Sequence, residues 1–264
     1  MSAREEVLIE LEGFALELAH TAGGIAEAYF RSNYSIDNKD DQGFDPVTSA
    51  DHAIEKVLRE TIQSTYPDHD IVAEESGSTA KGSEFCWYID PIDGTRAFMM
   101  GSPLWGTLVG LTESGAAVFG LLAQPILNEL FFGSPAGSWL IKPDGRQRLN
   151  SSRCTEMAKA RLASTHPHLG SDSDRAAFDR LAGACLLDRY GGDCYNYAML
   201  AAGFVDVVAE AGLKPFDIVP LVPILEHAGC VVTNWDGGPV LDGGNVLASA
   251  APELHQQALE YLNN

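Results

Sequence analysis

Trp87-Tyr88-Ile89-Asp90-Pro91-Ile92-Asp93-Gly94-Thr95 is the stretch on which the reading of this chain turns. The apolar run from Phe85 to Ile89 reads as a buried strand that stops at Asp90. Two aspartates three residues apart follow, with a rigid proline between them and Gly-Thr after. Carboxylates just past the end of a buried strand are well placed to ligate hard cations, which prefer oxygen ligands. Gly94 lets backbone N–H groups approach an anion, and a helix starting at Thr95 would add donors and a favourable dipole. The same letters also describe an Asx turn with capping aspartates, and on this segment alone both readings stand.

Three further segments carry acids at chemically useful places. Ile71-Val72-Ala73-Glu74-Glu75-Ser76 puts Glu74 at the end of a short strand. Asp45-Pro46-Val47-Thr48-Ser49-Ala50-Asp51 puts Asp51 at the start of a helix, and Lys214-Pro215-Phe216-Asp217-Ile218 puts Asp217 at an N-cap. Taken singly, each is also an ordinary structural acid: a strand-end turn, a helix-start charge, a cap.

Around these segments the periodicity predicts helices over 7–30 and 48–66, with a polar loop from Ser32 to Phe44 between them. Strands follow at 107–111, 117–122 and 129–132, separated by Gly115, Pro125 and Gly133, as in an antiparallel sheet. After about Arg148 the pattern alternates. Strands are expected at 161–164, 205–209, 230–233 and 246–250, and helices at 172–182, 195–202, from near Asp217, and 253–262. This organisation predicts an N-terminal α+β half, 1–147, and a C-terminal α/β half, 148–264, packed together around a shared cleft. No repeat and no flexible linker marks the join.

The chain of 264 residues is 45% hydrophobic and 20% charged, ample for a buried core. Its 37 acidic residues against 17 basic ones give a formal net charge of -20. That surface repels nucleic-acid backbones and anionic membranes, so neither is expected as a partner. Five cysteines without a C-x-x-C pair argue against a disulfide framework and for a reducing cytoplasm. The acidic N-terminus does not read as a signal peptide, and no apolar run approaches the ~18–20 residues that span a bilayer. No G-x-S-x-G occurs, and His166-Pro167-His168 reads as a surface turn rather than a metal pair.

Together the four acidic segments resemble the inositol monophosphatase superfamily over nearly the whole chain, in order and in spacing. The resemblance implies an α/β fold of layered αβαβα type, usually a homodimer, and a magnesium-dependent phosphomonoesterase holding two or three ions. Carried over by position, Glu74, Asp90, the backbone carbonyl of Ile92, Asp93 and Asp217 would be metal ligands, with Asp90 bridging. Thr95 would pair with Asp51, beside Glu74, to orient and deprotonate the attacking water. Gly94 and Thr95 N–H groups, with Arg96, would hold the substrate, and lithium would inhibit. Ala73 departs from the glycine many relatives carry there, but both are small. The chemistry is physically coherent. Two cations about 3.5–4 Å apart neutralise a phosphate dianion, lower the pKa of water, and need no side-chain nucleophile.

Two stretches resemble the histidinol-phosphate phosphatase branch in particular: Asp93 to Phe98 leading into Gly101–Leu108, and Arg189 to Tyr195 followed by Glu210–Pro215. Hydrolysis of L-histidinol phosphate to L-histidinol and phosphate, a step of histidine biosynthesis, is the expected reaction. That substrate carries an ammonium and an imidazole, and Asp193 and Glu210 are the acids expected to meet them. Asp193 can also be read as a simple helix cap. The alternatives are an inositol-1-monophosphatase, a broad-specificity small-molecule phosphatase, or a metal-binding regulatory protein on the same fold. The intact set of Asp51, Glu74, Asp90, Asp93, Thr95 and Asp217 argues against the last.

Overall fold

The computed structural model describes residues 3–38, 46–168 and 170–264. Asp45 and residues 39–44 of the expected loop lie outside the described residues. The chain runs through α1 (Ala3–Tyr29), β1 (Ile36–Asn38), β2 (Pro46–Thr48) and α2 (Ser49–Thr65). Next come β3 (Asp70–Ala73), β4 (Gly77–Thr79), β5 (Phe85–Asp93) and the short α3 (Thr95–Met99). A meander follows: β6 (Gly106–Glu113), β7 (Ala116–Gln124), β8 (Glu129–Ser134), β9 (Gly137–Lys142) and β10 (Gly145–Arg148). Then come β11 (Arg161–Ser164), α4 (Asp172–Ala184), β12 (Leu187–Tyr190), α5 (Cys194–Ala201) and β13 (Val207–Leu213). The chain ends with α6 (Pro215–Ile218), α7 (Leu221–His227), β14 (Val231–Asn234), β15 (Gly244–Ser249) and α8 (Pro252–Asn263).

The large sheet has the order β10-β9-β8-β7-β6-β5-β3-β4, and only β3 and β5 are parallel. The smaller sheet has the order β12-β11-β13-β15-β14, parallel across β12, β11 and β13 and antiparallel beyond. Alternation along β6 assigns its side chains to two cores. Val109 and Leu111 pack with the apolar stripes of α1 (Leu11, Ala15, Leu18) and α2 (Ile54, Leu58, Ile62). Leu108 points the other way and packs with Leu221, Ile224 and Leu225 of α7 and with Val207 and Val208 of β13. α5, α6 and α7 therefore lie between the sheets, while α8 packs on β15 and α4 on α8. The result is the expected αβαβα sandwich.

The middle layer seats itself on glycine. Gly110, Gly120 and Gly133 are register partners across β6, β7 and β8. A Cβ on Gly120 would lie 1.8 Å from the Pro220 carbonyl oxygen, one on Gly110 2.8 Å from Pro220 Cα, and one on Gly133 2.3 Å from the Ile224 nitrogen. Backbone meets backbone here, at a separation no side chain permits.

Three local expectations need correction. β5 does not stop at Asp90: it continues to Asp93, and the pairing with β6 shifts register between those residues. The irregularity accommodates Pro91, which has no N–H for the ladder. β13 does not end near Ala209 but runs through Glu210, again with a register shift beyond it. α6 begins at Pro215, so Asp217 is its third residue and not its N-cap. Proline suits a first helical position, where its missing N–H has no partner to lose. The unforeseen strands β10 and β12 are mostly exposed and polar, and carry no apolar alternation to read.

The glycine row makes a stability prediction. Gly120→Ala should destabilise the protein by about 1–3 kcal/mol or more through overpacking against fixed backbone. Gly24→Ala, on the exposed side of α1 with nothing within 4 Å, should instead stabilise by about 0.5–1 kcal/mol through helix propensity. Urea midpoints of the two variants, moving in opposite directions, check both.

Candidate active site

The end of β5 and the start of α6 converge. Asp90, Asp93 and Asp217 each offer a carboxylate oxygen, and these oxygens lie within 4.8 Å of one another. Glu74, Ile92, Gly94 and Thr95 line the same cleft of about 420 Å³, together with Lys214 and Phe216. Local hydrogen bonds set each acid. Glu74 follows β3, and its N–H donates to the Ile89 carbonyl at 3.2 Å, beside Asp90 in β5. Asp93 accepts from the Cys194 N–H at the start of α5. Asp217 accepts from the Lys214 N–H at 2.7 Å. Gly94, at φ +88°, turns the chain into α3, and a Cβ there would sit 3.1 Å from both the Asp193 side chain and the Leu104 carbonyl.

Concentrating acids in a buried cleft is unfavourable, and the proton affinities record it. Burial, then the charges of Glu74, Asp93 and Asp217, push the Asp90 carboxyl well above the usual aspartate range. Burial, with Asp193 and Asp217 nearby, does the same to Asp93. Burial pushes Asp217 up to about 7, although the Lys214 N–H pulls the other way. Asp90 is 2% exposed, and its Oδ1 has no hydrogen-bond partner. A buried carboxylate oxygen without a donor, crowded by the carboxylates of Asp93 and Asp217, suits a hard divalent cation. Asp90, Asp93, Asp217, Glu74 and the Ile92 carbonyl are the groups that fit around one.

The remaining expected residues are placed less uniformly. Asp51 is buried in α2, and burial raises its carboxyl despite two bonds from Thr48. Thr95 and Asp51, expected to act as a pair on the attacking water, share no direct hydrogen bond. Asp51 Oδ2 accepts from the Thr48 N–H at 2.8 Å and the Thr48 hydroxyl at 2.5 Å, while Oδ1 has no partner. Thr95 Oγ1 donates instead to the Ile92 carbonyl at 3.0 Å. The competitor was legible, because Thr48-Ser49-Ala50-Asp51 has capping-box spacing and a local partner wins over a distant one.

Asp193 is not a capping side chain. It occupies the N-cap position of α5 at φ 46°, ψ -135°, and its carboxylate makes no cap bond. Burial raises it to about 6, and the positive charge of Arg96 partly offsets this. Glu210 is buried in β13 and accepts from the Thr165 N–H at 2.6 Å, the Thr165 hydroxyl at 2.8 Å and the Ser164 hydroxyl at 3.3 Å. Burial, with Asp193 adding repulsion, brings it to about 7.

Two residues were not anticipated from sequence. Lys214 lines the cleft beside Asp217. Tyr197 buries a hydroxyl without a hydrogen-bond partner, within electrostatic reach of Glu210, Asp93 and Asp217. A tyrosine on an apolar helix face reads as core, so no sequence signal separates it from its neighbours.

The model of the inositol monophosphatase family matches residues 8–264. A bifunctional phosphatase, IMPL2, chloroplastic, from Arabidopsis thaliana is 39% identical, across 96% of this chain and 76% of that protein. A histidinol-phosphatase from Mycobacterium tuberculosis is 31% identical, across 94% and 96% of the two chains. The structure of an inositol monophosphatase from Zymomonas mobilis superposes over 100% of both chains with a TM-score of 0.85 at 34% identity. No helix among the described residues is long and apolar enough to cross a membrane.

The acidic cluster implies a pH dependence with a definite sign. Carboxyls raised by folding hold protons that the unfolded chain has released above about pH 4. Their stabilisation is present at low pH and lost as pH rises through the folded values, about 6 for Asp193 and about 7 for Asp217 and Glu210. In EDTA, the melting temperature should fall between pH 5 and pH 8. Magnesium should restore more of it at pH 8 than at pH 5, because the cation competes with those protons. Scanning calorimetry at both pH values, with and without magnesium, measures this directly.

Proposed function

The chain belongs to the inositol monophosphatase family, and from that premise we propose that it hydrolyses L-histidinol phosphate to L-histidinol and phosphate with magnesium as cofactor. As a phosphatase of this family it acts on phosphate esters; the leaving group is what the reading adds. Magnesium held by Glu74, Asp90, Asp93, Asp217 and the Ile92 carbonyl would neutralise the phosphate and make water acidic enough to attack it. The backbone N–H groups of Gly94 and Thr95 would orient the phosphate at the turn into α3. The Thr95 hydroxyl, fixed by the Ile92 carbonyl, and Glu74 would align the attacking water. Asp51, with Oδ1 free of any donor, would accept its proton directly or through an intervening water.

The observation that carries the substrate reading is Asp193. Its half-buried carboxylate packs against Gly94, caps nothing, and is held in a left-handed conformation that is costly for a residue other than glycine. An acid kept there in addition to the cation cluster suits a positively charged leaving group. Glu210, anchored by Thr165 and Ser164 and within electrostatic reach of Asp193, would strengthen the negative field around it. The histidinol-phosphatase name of a 31% identical relative agrees with this reading. A second reading, inositol 1-phosphate, is favoured by the Zymomonas mobilis likeness.

Phosphate release from histidinol phosphate, inositol 1-phosphate and a plain aryl phosphate separates these. A charge-assisted hydrogen bond contributes about 1.5–3 kcal/mol. Asp193→Asn should therefore lower kcat/KM for histidinol phosphate by roughly ten- to over a hundredfold at ~1.4 kcal/mol per decade. The aryl phosphate, lacking an ammonium, should be nearly unaffected. Equal losses on both substrates would remove the basis of the assignment.

Thr95→Ala tests the water-aligning role. It should depress kcat by about a hundredfold or more while moving KM little, since the hydroxyl acts in the transition state. Steady-state kinetics at saturating magnesium give the two parameters. A change confined to KM would make Thr95 a binding residue instead.

A further inference from the structure

The helix α2 presents Asp51, Glu55 and Arg59 at four-residue intervals, so all three lie on one face. Asp51 belongs to the proposed chemistry; the other two grip the turn that carries Glu74. Glu55 is 2% exposed. Its Oε2 accepts from the Glu75 N–H at 2.7 Å, and its Oε1 accepts from the Ser76 N–H at 2.9 Å and from the Ser76 hydroxyl. One turn on, Arg59 donates to the Gly77 carbonyl at 2.8 Å and to the Thr79 hydroxyl at 2.6 Å. The segment immediately after Glu74 is thus held by α2 at four successive points along the chain.

We propose that Glu55 is a positioning residue for the cation cluster: its carboxylate fixes the 74–76 turn so that Glu74 faces Asp90. On the other side, the Glu74 N–H donates to the Ile89 carbonyl. That bond sets the depth of the residue along β5, and the Ala73–Gly77 pairing of β3 with β4 closes the hairpin whose loop is the 74–76 turn. Within that hairpin the two oxygens of Glu55 fix the orientation of the loop against α2, since they accept from consecutive N–H groups. Three donors on one carboxylate is a pattern that glutamine cannot reproduce, because its NH2 would face an N–H. Glu55 touches neither the cleft nor any group proposed to react, so its effect must pass through Glu74. The inference rests on reading Glu74 as a cation ligand.

The test is manganese binding to the full chain without substrate, by calorimetry, on wild type, Glu55→Gln, Arg59→Met and Glu74→Gln. Loss of an outer-shell partner typically weakens a metal site by about 10–100-fold. Glu55→Gln should bind manganese at least about tenfold more weakly with an unchanged far-ultraviolet spectrum. The magnesium needed for half-maximal activity should rise in parallel, and kcat should recover at saturating magnesium. Arg59→Met should show a smaller shift in the same direction at the wild-type melting temperature. Wild-type manganese affinity in folded Glu55→Gln overturns the proposal. If that variant does not fold, Arg59→Met decides: weaker binding supports it and wild-type affinity overturns it. Glu74→Gln keeps the two layers apart. Undiminished affinity there overturns the cation reading and with it this one, whereas weakened Glu74→Gln beside unaffected Glu55→Gln overturns only the role of Glu55.

Discussion

The contact of the Pro220 and Pro223–Ile224 backbone with the glycine row of the large sheet is the constraint on which the site depends. Gly110, Gly120 and Gly133 bring the α6–α7 segment down onto β6, β7 and β8 at backbone distance. α6 is the short element just before that contact, and Asp217 is on it. Asp90 and Asp93 are on β5, the strand next to β6. A side chain at any of the three glycines would lift the middle layer away from the sheet, and the carboxylate of Asp217 with it. Packing between layers and geometry of the cluster are therefore one problem, solved by leaving atoms out.

The electrostatics run against the packing. The cores around the cleft bury large apolar surfaces, including Trp87, Phe98, Trp105 and Phe131, and that burial is the main favourable term in folding. The cleft itself holds acids whose mutual repulsion and desolvation oppose folding. Local devices keep them in place. A register shift around Pro91 turns Asp90 and Asp93 to the same cleft. Donors from Cys194 and Lys214 hold Asp93 and Asp217. Each is a backbone N–H near the start of a helix, where the dipole favours an anion. Elsewhere the buried acid Asp206 is paired with Arg161, the usual solution for a charge inside a protein. In the cluster, by contrast, Asp90, Asp93 and Asp217 crowd one another, and a bound cation would supply the missing positive charge.

Much of this was legible along the chain. The apolar stripes of α1 and α2 predicted their burial, and the family resemblance named the acids, of which Asp90, Asp93 and Asp217 come together. Asp51, Glu74, Asp90, Asp93 and Asp217 each read singly as an ordinary structural acid, and it is the resemblance of their four segments to one family, in order and spacing, that set them apart. Asp51 and Thr95 each hold a local partner, Thr48 and the Ile92 carbonyl, and the capping-box spacing of Thr48 and Asp51 states the first of these in the sequence. Glu55 escaped notice because an acid on a helix reads as surface until the turn it grips is known.

The sequence by itself determined the principal helices, the buried strands of both sheets, and the chemical character of the site. These follow from periods of two and 3.6 residues and from oxygen-rich residue types, which are properties of short segments. Only the tertiary structure decided that Glu210 is anchored by Thr165 and Ser164, that Asp193 caps nothing, that Tyr197 buries an unpartnered hydroxyl, and that three glycines on separate strands form one row. Each of these depends on which segments become neighbours across tens of residues. That is settled by the packing of layers, and no local window of sequence contains it.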